Sequence, residues 1–123
     1  MIGNTTVLLE TAALQPSGKI ESEALDLSNV VKLSLTVEAQ YNMSKTWESR
    51  GLHISVYSSY DGTNWDITPY AEFNAPSNLS KTVRATISIL PDPAYIKCGI
   101  INQNNNETAY NCKLIARYSK SAF

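Results

Sequence analysis

Charge is what this 123-residue chain has least of: only 17% of its side chains are charged, ten basic against eleven acidic, where a soluble domain ordinarily carries about a quarter. A net charge of -1 without any basic run excludes nucleic acid and anionic membrane as main partners. Histidine occurs once, at His53, and the two cysteines, Cys98 and Cys112, lack C-x-x-C spacing. A metal site and a redox site are therefore not expected, and no cofactor is implied. The carboxylates are scattered, and Ser58 and Ser59 belong to no nucleophile elbow, so the chain does not read as an enzyme and no catalytic residue is assigned. Long hydrophobic runs are missing too. The longest early one, Val7-Leu8-Leu9, follows no basic segment and is too short for a signal peptide or a membrane span, which leads us to expect folding in a cytoplasm.

What is abundant is uncharged polarity. Eleven Asn, fourteen Ser and ten Thr make up 35 of the 123 residues, a profile suited to strand faces of hydroxyls and turns of amides. The dominant hydrophobic period is two, the mark of half-buried strands. Between Val30 and Gln40, Val31, Leu33, Leu35, Val37 and Ala39 share one face, and Lys32, Ser34, Thr36 and Glu38 the other. Leu52, Ile54, Val56, Ser58 and Tyr60 alternate with His53, Ser55, Tyr57 and Ser59, and Val83, Ala85, Ile87 and Ile89 with Thr82, Arg84, Thr86 and Ser88. A first strand, Thr5 to Leu14, stops at Gln15-Pro16-Ser17-Gly18, a turn in which Gly18 permits positive φ. Lys19 to Leu27 suits a short strand better than a helix. Tyr41 to Gly51 and Trp65 to Lys81 read as irregular connections.

Near the C-terminus, Tyr95 to Asn102 and Thr108 to Tyr118 read as a hairpin around Gln103 to Glu107. Centred on Asn105, that hairpin sets Cys98 opposite Cys112, Ile96 opposite Leu114 and Ile100 opposite Tyr110. Reduced thiols packed as small hydrophobes are favoured over a disulfide, because a directly cross-strand bridge is strained. Seven or eight short strands, with no amphipathic helix, predict one all-β domain over residues 1–123: an antiparallel β-sandwich of jelly-roll type.

The sharpest local feature is Tyr57-Ser58-Ser59-Tyr60-Asp61-Gly62-Thr63-Asn64-Trp65-Asp66. As structure it is a tight hairpin: Asp61 accepts amides ahead of it, Gly62 takes positive φ and Trp65 folds back over the sandwich end. As a site, Tyr57, Tyr60, Trp65 and Tyr70 offer an aromatic platform for a sugar, with Asp61, Asn64 and Asp66 as polar partners or hard-cation ligands, although the aspartates lack the spacing of a calcium loop. Trp47, between Lys45 and Arg50, is either tucked under its loop or presented to a partner.

Taken together, Ser22-Glu23-Ala24-Leu25-Asp26-Leu27, the alternating strand to Ala39, Ile54 through Trp65, and Ala94 through Asn102 resemble small β-sandwich accessory proteins of tailed bacteriophages. The resemblance covers roughly residues 20 to 118. It implies a virion structural protein assembled in the host cytoplasm, in particular a capsid decoration or cement protein, acting as a homo-oligomer against the major capsid protein or other virion subunits. Modest interfaces repeated in a symmetric lattice would then reinforce the shell. Candidate anchors are residues 1–6 as an N-terminal arm, Trp47, and residues 119–123 as a tail ending in Phe123. The Ser59-Tyr60-Asp61-Gly62-Thr63-Asn64-Trp65 hairpin also resembles those of discoidin-type carbohydrate-binding domains, which keeps a glycan-binding module of a phage tail or fibre as the alternative. The missing secretion signal and framing cysteines favour the virion.

Overall fold

A computed structural model of the chain describes residues 3–42, 50–76 and 82–121. Every regular element among them is a strand: β1 (Gly3–Leu14), β2 (Lys19–Glu21), β3 (Leu25–Asp26), β4 (Val30–Tyr41), β5 (Leu52–Ser59), β6 (Ala71–Ala75), β7 (Thr82–Ile89), β8 (Tyr95–Asn102) and β9 (Ala109–Lys120). They form two antiparallel sheets, β1-β9-β4-β7 and β2-β8-β5-β6, with β3 following β2 along β8. With the broken β2/β3 taken as one strand, this is the eight-strand order of a jelly roll, as the turn spacing predicts.

Alternation decides the core. Leu33, Leu35, Val37, Ala39 and Tyr41 of β4 face Leu52, Ile54 and Val56 of β5 and Ile96, Cys98 and Ile100 of β8 in one apolar cluster. Each large side chain buried there contributes roughly 1.5–3 kcal/mol of transfer free energy. The outer faces are polar, and Thr36 and Thr86, directly opposite each other on β4 and β7, share a hydrogen bond of 2.8 Å.

Several expectations need correction. Val31 is 45% exposed and Val30 is buried, because a register shift between Val30 and Lys32 turns the start of β4 over. In the first turn the positive φ falls on Ser17 (62°), not on Gly18. Gly18 is needed for close approach instead, since a Cβ there would lie 2.8 Å from the Gln15 carbonyl oxygen. The stretch after Trp65 is not wholly irregular: Ala71–Ala75 pairs with β5 as the edge of its sheet. Residues 3–6 are the start of β1, paired with β9, and the Ser121 N–H donates to the Asn29 carbonyl at 2.7 Å. Arm and tail are thus held where they are described. Trp47 and Phe123 lie outside the described residues.

The C-terminal hairpin does not form. β8 and β9 belong to different sheets, so Cys98 lies opposite Val56, and Cys112 opposite Thr11. Both thiols are free and buried, and they line the one core from opposite sheets. The cause is polar. Asn102, fully buried, donates from Nδ2 to the carbonyls of Leu14 (3.0 Å), Gln15 (3.3 Å) and Glu107 (2.9 Å). Its Oδ1 accepts from the Tyr41 hydroxyl at 2.7 Å and the Asn104 N–H at 3.1 Å. Asn104, equally buried, donates to the Arg50 carbonyl and accepts from the N–H groups of Asn106 and Glu107. The two amides tie the connections 15–18 and 103–108 to Tyr41 and Arg50 at one end of the sandwich, and the second of these connections carries the chain from one sheet to the other.

Asn102→Ala would strand several buried partners at once, and is expected to cost on the order of 3 kcal/mol, seen as a lower urea midpoint at unchanged m-value, whereas exposed Asn106→Ala stays within about 0.5 kcal/mol. Equal midpoints for the two variants would remove the network from its role.

Burial pushes the Cys98 thiol up to about 12 and the Cys112 thiol up to about 11, from an ordinary value of 9.0. The folded state therefore favours the protonated thiols while the unfolded chain ionises earlier, so stability holds below about pH 9 and falls as pH rises towards 12. A Cys98→Ala/Cys112→Ala double variant should show a flatter decline in midpoint over that window, and both native thiols should resist alkylation until the chain unfolds.

Candidate binding surface

The end opposite the Asn102 network carries the connections 27–29, 60–70 and 90–94. In the second of these the sequence dictates the local geometry. Asp61 Oδ1 accepts the N–H groups of Thr63 (2.9 Å) and Asn64 (2.8 Å), and Oδ2 accepts Asn64 Nδ2 at 2.6 Å. The Asn64 N–H, with that of Thr63 next, holds the Asp61 carboxyl well below the usual carboxylate range. Ser59 Oγ accepts the Gly62 N–H at 2.8 Å. Gly62 has φ +83° and runs against the Tyr95 ring, where a Cβ would lie 3.4 Å from three ring atoms. Asp61 and Asn64 are thus spent on their own turn, which accounts for them without a sugar or a cation. Among the described residues no three His, Cys, Asp or Glu side chains gather as a metal site.

The aromatic residues divide. Tyr57 is half-buried on β5, on the outward face that β5 shares with Lys97 of β8. Trp65, bridged to Ser59, is half-buried with the Lys97 ammonium 4.7 Å from its ring centre. Trp65 and Tyr70 line one open cleft of about 630 Å³ together with Asp66, Ile67 and Pro69. Tyr60 and Tyr70 line a second, of about 420 Å³, with Asp66, Asp92 and Pro93. Ser58 and Asp66 line both, and Tyr70 is the aromatic residue common to them. Its hydroxyl donates to the Leu90 carbonyl at 2.9 Å, and partial burial with the nearby Asp92 raises its pKa, keeping it a donor. Asp66 accepts from Ser58 Oγ at 3.0 Å.

Sequence reasoning missed the apolar character of this end. Ile67 is 96% exposed, Tyr60 77% and Leu90 70%; with Tyr70 and Val31 they are five of the seven large apolar side chains exposed among the described residues. Ile67 lies in the stretch Trp65 to Lys81 that read as irregular, and Leu90 lies just beyond the alternation that ends at Ile89. Proline at 69, 91 and 93 was the available signal, since it limits the backbone freedom of the loops that carry them. His53, expected on a polar face, is half-buried on the outer side of β5, with Nδ1 donating to Asn74 Oδ1 at 2.7 Å and Nε2 3.6 Å from Glu72.

No protein-family model matches the sequence, and no curated protein does. Solved structures share the fold. The PBSX exported protein XepA superposes over 98% of this chain with a TM-score of 0.64 at 15% identity, and the chain spans 38% of XepA's length. The SPBc2 prophage-derived protein YomS matches 96% of this chain and 95% of its own, with a TM-score of 0.54 and 7% identity. A family 35 carbohydrate binding module from an environmental isolate matches 88% of this chain and 73% of its own, at a TM-score of 0.50 and 11% identity. The chain is thus an all-β sandwich of a kind found in prophage-derived and carbohydrate-binding proteins.

Proposed function

We propose that this chain is a non-enzymatic structural protein of a phage particle, a decoration or cement protein of the head, which docks through its apolar loop end onto the major capsid protein or another virion subunit. The observation that carries the reading is the concentration of Tyr60, Ile67, Tyr70 and Leu90 at one end of a sandwich whose outer sheet faces are largely polar. A contiguous apolar patch bounded by polar surface is the signature of a protein contact. The fold shared with prophage-derived YomS over nearly the full length of both chains supports the setting. Many weak copies of such a contact, closed by symmetry and by pairing among copies of this chain, would add up to a rigid shell.

Quantitative mass spectrometry of purified particles is expected to find this chain in numbers comparable to the coat subunit, and an Ile67→Asp/Leu90→Asp variant to be lost from them while its purified form melts normally. Absence from particles, or a few copies at one vertex, would overturn the reading.

A second reading, a carbohydrate-binding module of a tail or fibre, is favoured by one observation: Trp65 and Tyr70 share the 630 Å³ cleft. It predicts glycan-array binding that Trp65→Ala reduces at least about tenfold, the scale of a lost stacking and packing contact. Arrays without any bound glycan would set this reading aside.

A further inference from the structure

Lys32 of β4 and Arg117 of β9 are exposed on the outer face of the β1-β9-β4-β7 sheet. The register sets Lys32 opposite Ser119, and Ser34 opposite both Arg117 and Ser88. The two cations therefore occupy one diagonal of a four-residue tile, a spacing of about 7–8 Å between Cα atoms, with Ser34 and Ser119 on the other. The tile floors an open cleft of about 510 Å³ whose walls include Val31, Leu90, Pro91 and Tyr118.

What singles this pair out is the state of five other basic side chains among the described residues. Arg84 and Lys113 bind Glu38 at 2.8 and 3.1 Å, and Lys19 binds Glu21 at 3.1 Å. Lys97 lies over Trp65, and Lys120 lies 5.9 Å from the centre of the Tyr118 ring. Lys32 and Arg117 have no acidic or aromatic partner among the described residues, yet they flank the same cleft. An anion in the cleft would gain from both cations and give the Arg117 guanidinium, which lies on the β1 side near Gly3, its fork partner.

We propose that this cleft receives an acidic side chain of a partner protein, a Glu or Asp flanked by an apolar residue. The proposal deepens the docking function above and rests on it. Leu90 belongs both to the apolar end and to the cleft wall, so one partner surface reaches both. A sugar carboxylate fits less well, because Tyr118 is the one aromatic ring in the lining and Lys120 already lies over one of its faces. The apolar walls suit the neighbour of an acidic residue better than they suit a bare phosphate. The contact supplies charge complementarity at the rim of a hydrophobic patch, which directs approach and register more than it adds affinity.

The test is an NMR titration of the full chain with acetyl-Leu-Glu-Leu amide, with the same peptide carrying Gln, with sodium glucuronate and with inorganic phosphate. The Glu peptide is expected to shift the amides of Ser34, Ser88, Arg117 and Ser119. Lys32→Gln or Arg117→Gln should weaken its binding about three- to tenfold, the range for a partly exposed charge-assisted contact, and about 0.5 M salt should abolish it. Unchanged melting of both variants would show that the fold is intact. The proposal is overturned by an equal response to the Gln peptide, by a larger response to glucuronate, by a response to phosphate alone, or by no shift in the cleft. A failed titration beside abundant incorporation into particles would remove the cleft and leave the docking end standing. A positive titration with no copy in particles would do the reverse.

Discussion

The buried carboxamide of Asn102 is the constraint on which the architecture depends. A polar side chain enclosed at the end of an apolar sandwich is tolerable only when its donors and acceptors are all paired. Asn102 meets that condition by drawing the carbonyls of Leu14, Gln15 and Glu107, the Tyr41 hydroxyl and the Asn104 N–H to one point. Those partners belong to β1 and the turn after it, to β4 and to the connection between β8 and β9. Asn102 meets this set in an arrangement where β9 departs to the other sheet, the jelly-roll order.

The consequence for function is a division of labour between the two ends. One end is closed by amides and carbonyls that satisfy one another. The other carries loops with proline at 69, 91 and 93 and presents Tyr60, Ile67, Tyr70 and Leu90 to solvent. Between them the outer faces are rich in Ser, Thr and paired charges such as Glu38 with Arg84 and Lys113. The low charge thus has a structural meaning: most basic side chains among the described residues are matched in place, which makes Lys32 and Arg117 conspicuous.

Much of the fold could be read from period two alone. β4, β5 and β7 carry long alternations whose inward faces are set by Leu35 and Val37, by Ile54 and Val56, and by Val83 and Ile89. Alternation names the face of a strand but not the sheet that holds it. Cys98 and Cys112 therefore looked like cross-strand neighbours, whereas they face a common interior from opposite sheets. β6 escaped notice because five residues with Glu72 and Asn74 at alternate positions, closed by Pro76, carry too little apolar signal. Val30 and Val31 exchanged roles at a register shift that no local pattern announces. In the candidate surface, the Asp61 turn was readable because every bond its carboxylate accepts spans at most three residues. The clefts were not, since Tyr70 meets Leu90 across twenty residues and only the β4–β9 register sets Lys32 diagonally from Arg117.

The central claim is that the apolar loop end is the contact face. A cryo-EM reconstruction of a purified particle that resolves this chain tests it most directly. The account predicts that Tyr60, Ile67 and Leu90 lie against the neighbouring subunit and that the Asn102 end points away from it. A chain seated the other way round, with the loop end free in solvent, would contradict the account.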